Sequence, residues 1–214
     1  IQQANSTNPP LPAYDAALLL REMRLFTQWF CAGLLGMALS DQEQRLVGAA
    51  FQMLCRQALQ QAQTFVHRDY HSRNLMLLAR TEPAIGVIDF QDAVRGPWTY
   101  DLVSLLKDCY IEWPRDQVNE WALAFARQAQ ARGLLPLMDD KTVLSDFDLM
   151  GAQRHIKVLG IFSRLWLRDG KPGYLKDIPL TYRYLQQVVM EHDELASFAQ
   201  WLHERVEPQL GAAL

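Results

Sequence analysis

The chain has 214 residues, half of them hydrophobic and 21% charged, with a formal net charge of −3. That balance supports a buried core in one domain or two unequal lobes and excludes a disordered tail. Its scattered Lys and Arg leave no basic footprint for nucleic acid, and its longest apolar run, the eleven residues from Trp29 to Leu39, is too short for a membrane span.

Residues Ile1 to Pro10 lack an initiator Met, a basic start and an apolar stretch, so neither a signal peptide nor a natural start is expected there, and the chain reads as a fragment. The stretch Asn5–Pro12 is polar and proline-rich, and residues 1–14 read as a linker or hinge arm. From Asp15 the spacing of Leu19, Met23, Phe26 and Phe30 predicts a helix of about four turns. Ser40 and Glu43 form a capping-box pattern that opens a second helix running to about Gln61. Thr64–His67, Leu75–Leu78 and Ile85–Phe90 read as short strands, the last two as a hairpin. Helices are then expected over Tyr100–Ile111, Pro114–Arg132, Ser145 to about Arg168, and Pro179–Arg205 as one or two helices. Cys31, Cys55 and Cys109 sit singly in apolar helical patterns, which argues against disulfides or zinc and for a reducing compartment, the cytoplasm. The fold class is α+β, predominantly α, with a small β insert that holds the densest set of reactive side chains.

His67-Arg68-Asp69-Tyr70-His71-Ser72-Arg73-Asn74 resembles the kinase catalytic loop H-R-D-x-x-x-x-N, and Asp89-Phe90 follows at the place of the magnesium-binding Asp-Phe. The residue types suit that chemistry. A carboxylate on a fixed loop, Asp69, can orient an acceptor hydroxyl and take its proton late. A carboxamide and a carboxylate, Asn74 and Asp89, supply hard oxygen ligands for Mg2+ beside the phosphates of ATP. His67, Arg68 and Asp101 are assigned to shaping the loop.

The segment from Phe65 to Leu106 resembles the core of the aminoglycoside phosphotransferase and choline kinase superfamily. Leu19-Leu20-Arg21-Glu22-Met23, Ile88-Asp89-Phe90-Gln91-Asp92-Ala93, Tyr100-Asp101-Leu102 and Gln153 to Gly160 extend the likeness to bacterial kinases that phosphorylate N-acetylmuramate and N-acetylglucosamine at the anomeric hydroxyl in cell-wall recycling. The resemblance implies the C-terminal lobe of a protein-kinase-like fold, in residues 15–214, with catalytic loop 65–78, metal-binding segment 85–93 and helical substrate subdomain 100–214. Residues 1–66 contain no Lys and the chain has no G-x-G-x-x-G, so the N-lobe that grips the nucleotide is read as absent and the chain by itself as inactive.

Two departures stand out: most small-molecule kinases of this group have Gly where Arg68 stands, and Gln91 replaces the Gly of Asp-Phe-Gly. The short link from Gln91 to Asp101 leaves no room for a regulatory activation loop, which favours a small hydroxylated acceptor over a protein. Gln91 and Asp92 are placed near that acceptor by connectivity, and Trp113 is a candidate to stack on a sugar ring. Arg154 and His155, with Lys157, Arg164 and Arg168, offer cations for a lactyl carboxylate, against the plainer reading of a solvated helix face. The alternatives are an aminoglycoside or choline kinase and a non-catalytic, pseudokinase-like binding module. The sequence leaves the oligomeric state open.

Overall fold

Apolar residues at helical spacing form α1 (Ala16–Leu25), with Leu19 and Met23 fully buried. The computed structural model describes residues 10–79 and 84–213. From Phe26 to Leu34 the helix widens to π geometry, which a period of 3.6 does not announce, so the regular four-turn helix expected here is corrected in its second half. Helix α2 (Asp41–Gln60) begins at the capping box: the Ser40 N–H donates to Glu43 Oε2 at 2.8 Å and the Glu43 N–H to Ser40 Oγ at 3.3 Å.

The chain divides into two compact units. One comprises the described residues of Ile1–Asp15 and Ala58–Met150, the other Ala16–Gln57 and Gly151–Leu214. The first holds β1 (Gln63–Val66), β2 (Leu75–Leu78), β3 (Ala84–Val87), β4 (Val94–Pro97), α3 (Tyr100–Leu106), α4 (Arg115–Ala131) and the opening turns of α5 (Asp140–Leu167). Strands β2 and β3 form the expected antiparallel hairpin, with Leu75 opposite Val87. Strand β4 was not expected; it pairs antiparallel with β1, Val66 opposite Val94. The arm joins this pair, since the Tyr14 N–H donates to the Arg95 carbonyl at 2.8 Å and the Arg95 N–H to the Pro12 carbonyl at 2.9 Å. Residues 1–9 of the arm lie outside the described residues.

Three other boundaries moved for local reasons. Strand β3 ends at Val87, not Phe90, because Asp89 has φ 69°, which no strand continues through. Helix α3 ends at Leu106, not Ile111, where Lys107 leaves helical geometry and its ammonium meets the Asp148 carboxylate at 2.6 Å. Helix α5 starts at Asp140, five residues before Ser145, behind Asp139, whose carboxylate accepts the Thr142 N–H at 2.8 Å. The buried centre of this unit stacks Trp98 on Phe125 and sets Tyr14 edge-on to Tyr100.

The second unit completes α5 and adds α6 (Ile178–Glu191), α7 (Ala196–Trp201) and α8 (Glu207–Ala213). Its core is aromatic, with Phe26 against Phe30, Phe51 and Trp201, and Phe30 against Tyr182. At Gly160 a side-chain carbon would collide with the Leu25 backbone, so only glycine lets α1 and α5 approach this closely. Among the described residues no helix is long and apolar enough to cross a membrane.

Candidate functional site

Two buried carboxylates shape the loop between β1 and β2. Asp101, in the first turn of α3, accepts the His67 N–H on Oδ2 at 2.7 Å and the Arg68 N–H on Oδ1 at 3.1 Å. Asp108, just beyond α3, accepts the Ser72 N–H at 2.9 Å and the Tyr110 N–H at 3.2 Å. Asp69 lies in the short stretch of chain between these two anchors. Sequence reasoning missed Asp108; the signal was an acid directly after an apolar helix, followed by Tyr110, whose ring carries the Arg73 guanidinium at 3.4 Å and meets the His71 ring edge-on.

The fully buried ring of His67 completes the bend, its Nδ1 accepting the Asp69 N–H at 3.3 Å. Arg68 has φ 74°, in the left-handed region that glycine enters freely and other residues enter at a cost of roughly 1 kcal/mol or more. Here lies a physical reason for the departure noted above, because Arg68 adds contacts glycine lacks. Its Nη1 donates to the Asp92 carbonyl at 3.3 Å, and its guanidinium lies 5.6 Å from the centre of the Tyr14 ring.

The hairpin register then sets the second half of the site. Leu75 faces Val87, and one step further the Ile88 N–H donates to the Asn74 carbonyl at 3.2 Å, which brings Asp89 next to Asn74. Asn74 Nδ2 donates to the Asp69 carbonyl at 2.9 Å and lies 3.5 Å from Asp89 Oδ2. Both neighbours are acceptors, which fixes the amide orientation and turns Asn74 Oδ1 away from them. The other Asp89 oxygen, Oδ1, accepts Gln91 Nε2 at 2.5 Å. Among the described residues nothing hydrogen-bonds or pairs with the Asp69 carboxylate.

An amide oxygen and a carboxylate side by side are the hard donors that magnesium prefers. No group of three or more His, Cys, Asp or Glu among the described residues could hold a metal ion. Magnesium is commonly held by one or two protein oxygens together with substrate phosphates.

The remaining candidates are spread out. Asp92 is exposed and contributes its carbonyl to Arg68. Trp113 is exposed, edge-on to Trp121 at 5.4 Å, three residues after Tyr110. Arg154 and His155 belong to the second unit and are buried, His155 stacked on Tyr184 at 5.2 Å. Every residue of α5 from Phe147 to Gly160 is buried, and Lys157 pairs with Glu22 at 3.1 Å, so this stretch is not a solvated cationic face.

A model of the phosphotransferase enzyme family, APH, matches residues 1–139. The chain belongs to the phosphotransferase enzyme family. It is 43% identical over 195 residues to an N-acetylmuramate/N-acetylglucosamine kinase of Pseudomonas putida, covering 91% of this chain and 57% of the relative. The kinase of the same description from Pseudomonas aeruginosa is 45% identical over 194 residues, covering 90% and 56%. That from Neisseria meningitidis is 43% identical over 205 residues, covering 95% and 60%. The chain thus spans 56–60% of the length of these relatives.

Proposed function

We propose that this chain carries the acceptor-activating and metal-binding part of an ATP- and Mg2+-dependent kinase whose acceptor is a small amino sugar such as N-acetylglucosamine or N-acetylmuramate. The observation behind it is the meeting at Asn74, whose one amide group reaches both the Asp69 backbone and the Asp89 carboxylate. Asp69 orients the acceptor hydroxyl and takes its proton as the new oxygen–phosphorus bond forms and the bond to the leaving diphosphate breaks. Asn74 Oδ1 and the Asp89 carboxylate are the metal-holding oxygens. When bound, magnesium neutralises charge on the phosphate oxygens. Asp101 and Asp108 hold the loop so that Asp69 need not be ordered during transfer. On this reading the lysine that grips the nucleotide is not among residues 1–66, which contain none, and these 214 residues alone do not turn over. The amino-sugar acceptor is carried over from the names of the relatives.

The test is coupled ATP turnover by the full-length native protein over a panel of amino sugars, aminoglycosides and choline. Magnesium-dependent turnover with N-acetylglucosamine or N-acetylmuramate supports the reading. Turnover with choline or aminoglycosides alone would transfer the site to another acceptor class. No turnover together with no magnesium-dependent thermal shift by ATP would make it a binding module.

A further inference from the structure

We infer that Gln91 is a positioning residue for the metal-binding carboxylate, not a contact to the acceptor. The inference rests on the reading of Asp89 as a metal ligand. Gln91 occupies the turn Phe90–Ala93, closed by the Ala93 N–H on the Phe90 carbonyl at 3.1 Å, and this turn folds its side chain back over Asp89. Only the amide nitrogen of Gln91 can donate to a carboxylate, so the 2.5 Å contact of Nε2 with Asp89 Oδ1 fixes which end of the amide faces the acid. Asn74 Nδ2 approaches Oδ2 on the other side. Two amides therefore clasp the carboxylate, one at each oxygen. Each oxygen has a second lone pair, so the clasp sets the plane of the group without consuming its capacity for a cation.

Backbone geometry explains why a clasp is needed. Asp89 has φ 69°, a strained setting for a non-glycine residue, and both Asp89 and Phe90 are exposed, so apolar packing does not hold the side chain in one rotamer. A hydrogen bond from outside the ligand pair is the remaining constraint, and Gln91 supplies it. Groups that orient metal ligands in this way commonly alter metal affinity or activity by about 10–100-fold when removed. A glycine in this place, as in Asp-Phe-Gly, could not donate from a side chain.

Gln91→Met keeps the length and removes the donor. In the full-length native protein, Mn2+ binding followed by electron paramagnetic resonance with a non-hydrolysable ATP analogue should weaken about ten-fold or more. The half-saturating Mg2+ concentration in turnover should rise by the same factor, with the KM for N-acetylglucosamine unchanged. Asp89→Asn is measured in parallel, and both positions are exposed, so an unchanged melting temperature marks intact folding. Unchanged Mn2+ affinity in Gln91→Met, with a loss in Asp89→Asn, overturns the inference and leaves the metal site standing. A raised sugar KM with unchanged metal affinity also overturns it and makes Gln91 an acceptor contact. Unchanged Mn2+ affinity in both variants removes the metal site itself, and the inference with it.

Discussion

The β2–β3 hairpin with its flanking loops and the helical core of the second unit are built in opposite ways. Around β2 and β3 apolar side chains face outward, with Leu77 86%, Ile85 62% and Phe90 66% exposed, and a two-stranded hairpin alone is marginal in water. What fixes this region is polar: Asp101 and Asp108 on backbone amides, and Asn74 and Gln91 on Asp89. In the second unit Phe26, Phe30, Phe51, Tyr182 and Trp201 pack ring on ring, and buried polar groups such as Glu22 and Lys157 pair with each other. The contrast teaches that hydrogen bonds to the main chain and between side chains position Asp69, Asn74 and Asp89, while apolar packing carries the scaffold. Substitutions should therefore separate function from stability according to region.

The sharpest break in that separation is Asp101, which is buried and acts through two backbone amides. Asp101→Ala leaves both without their acceptor and should cost about 2–4 kcal/mol in denaturant unfolding while also lowering turnover. Gly160→Ala tests the other side. The methyl group meets the Leu25 backbone, so unfolding free energy should fall by about 2–3 kcal/mol with the half-saturating Mg2+ concentration unchanged.

Arg68 gives a finer test, because strain and contacts oppose each other there. Arg68→Ala keeps the left-handed backbone and gives up the Tyr14 and Asp92 contacts, whereas Arg68→Gly also releases the strain. The glycine variant should be more stable than the alanine variant by about 1 kcal/mol on thermal denaturation.

The smallest effect concerns the second unit in acid. The Ser40 N–H, Trp201, Arg205 and the Ser40 hydroxyl hold the Glu43 carboxyl down at about 2, against an ordinary value of 4.5. A carboxyl lowered in the folded state stabilises fully above its unfolded value and loses that contribution as pH falls through the folded one. Urea midpoints of the native chain and Glu43→Gln should differ above pH 4.5 and converge as pH approaches 2.

Much of this was legible in the sequence where the signal is local. Ser40 and Glu43 lie one helical turn apart and form the capping box they spell. The apolar runs Leu75–Leu78 and Ile85–Phe90 predicted the β2–β3 hairpin, whose register matters because it carries Asp89 to Asn74. What the sequence concealed depends on distant partners. No strand was expected at Val94-Arg95-Gly96-Pro97, where glycine and proline weaken a strand signal, yet it pairs with β1 and the arm. The charged middle of α5 reads as solvated because Glu22, which neutralises Lys157, is more than a hundred residues away. Asp108 went unnoticed in the sequence, because the Ser72 amide it holds lies in another element.

The central claim is that Asp69 acts with Asn74 and Asp89 on one phosphoryl group. Transfer of γ-labelled phosphate from ATP to N-acetylglucosamine by the full-length native protein and its Asp69→Ala variant tests it most directly. The account predicts labelled sugar from the native protein and about 10²–10⁴-fold slower transfer by the variant at an unchanged melting temperature. Equal initial rates from the two proteins would contradict it.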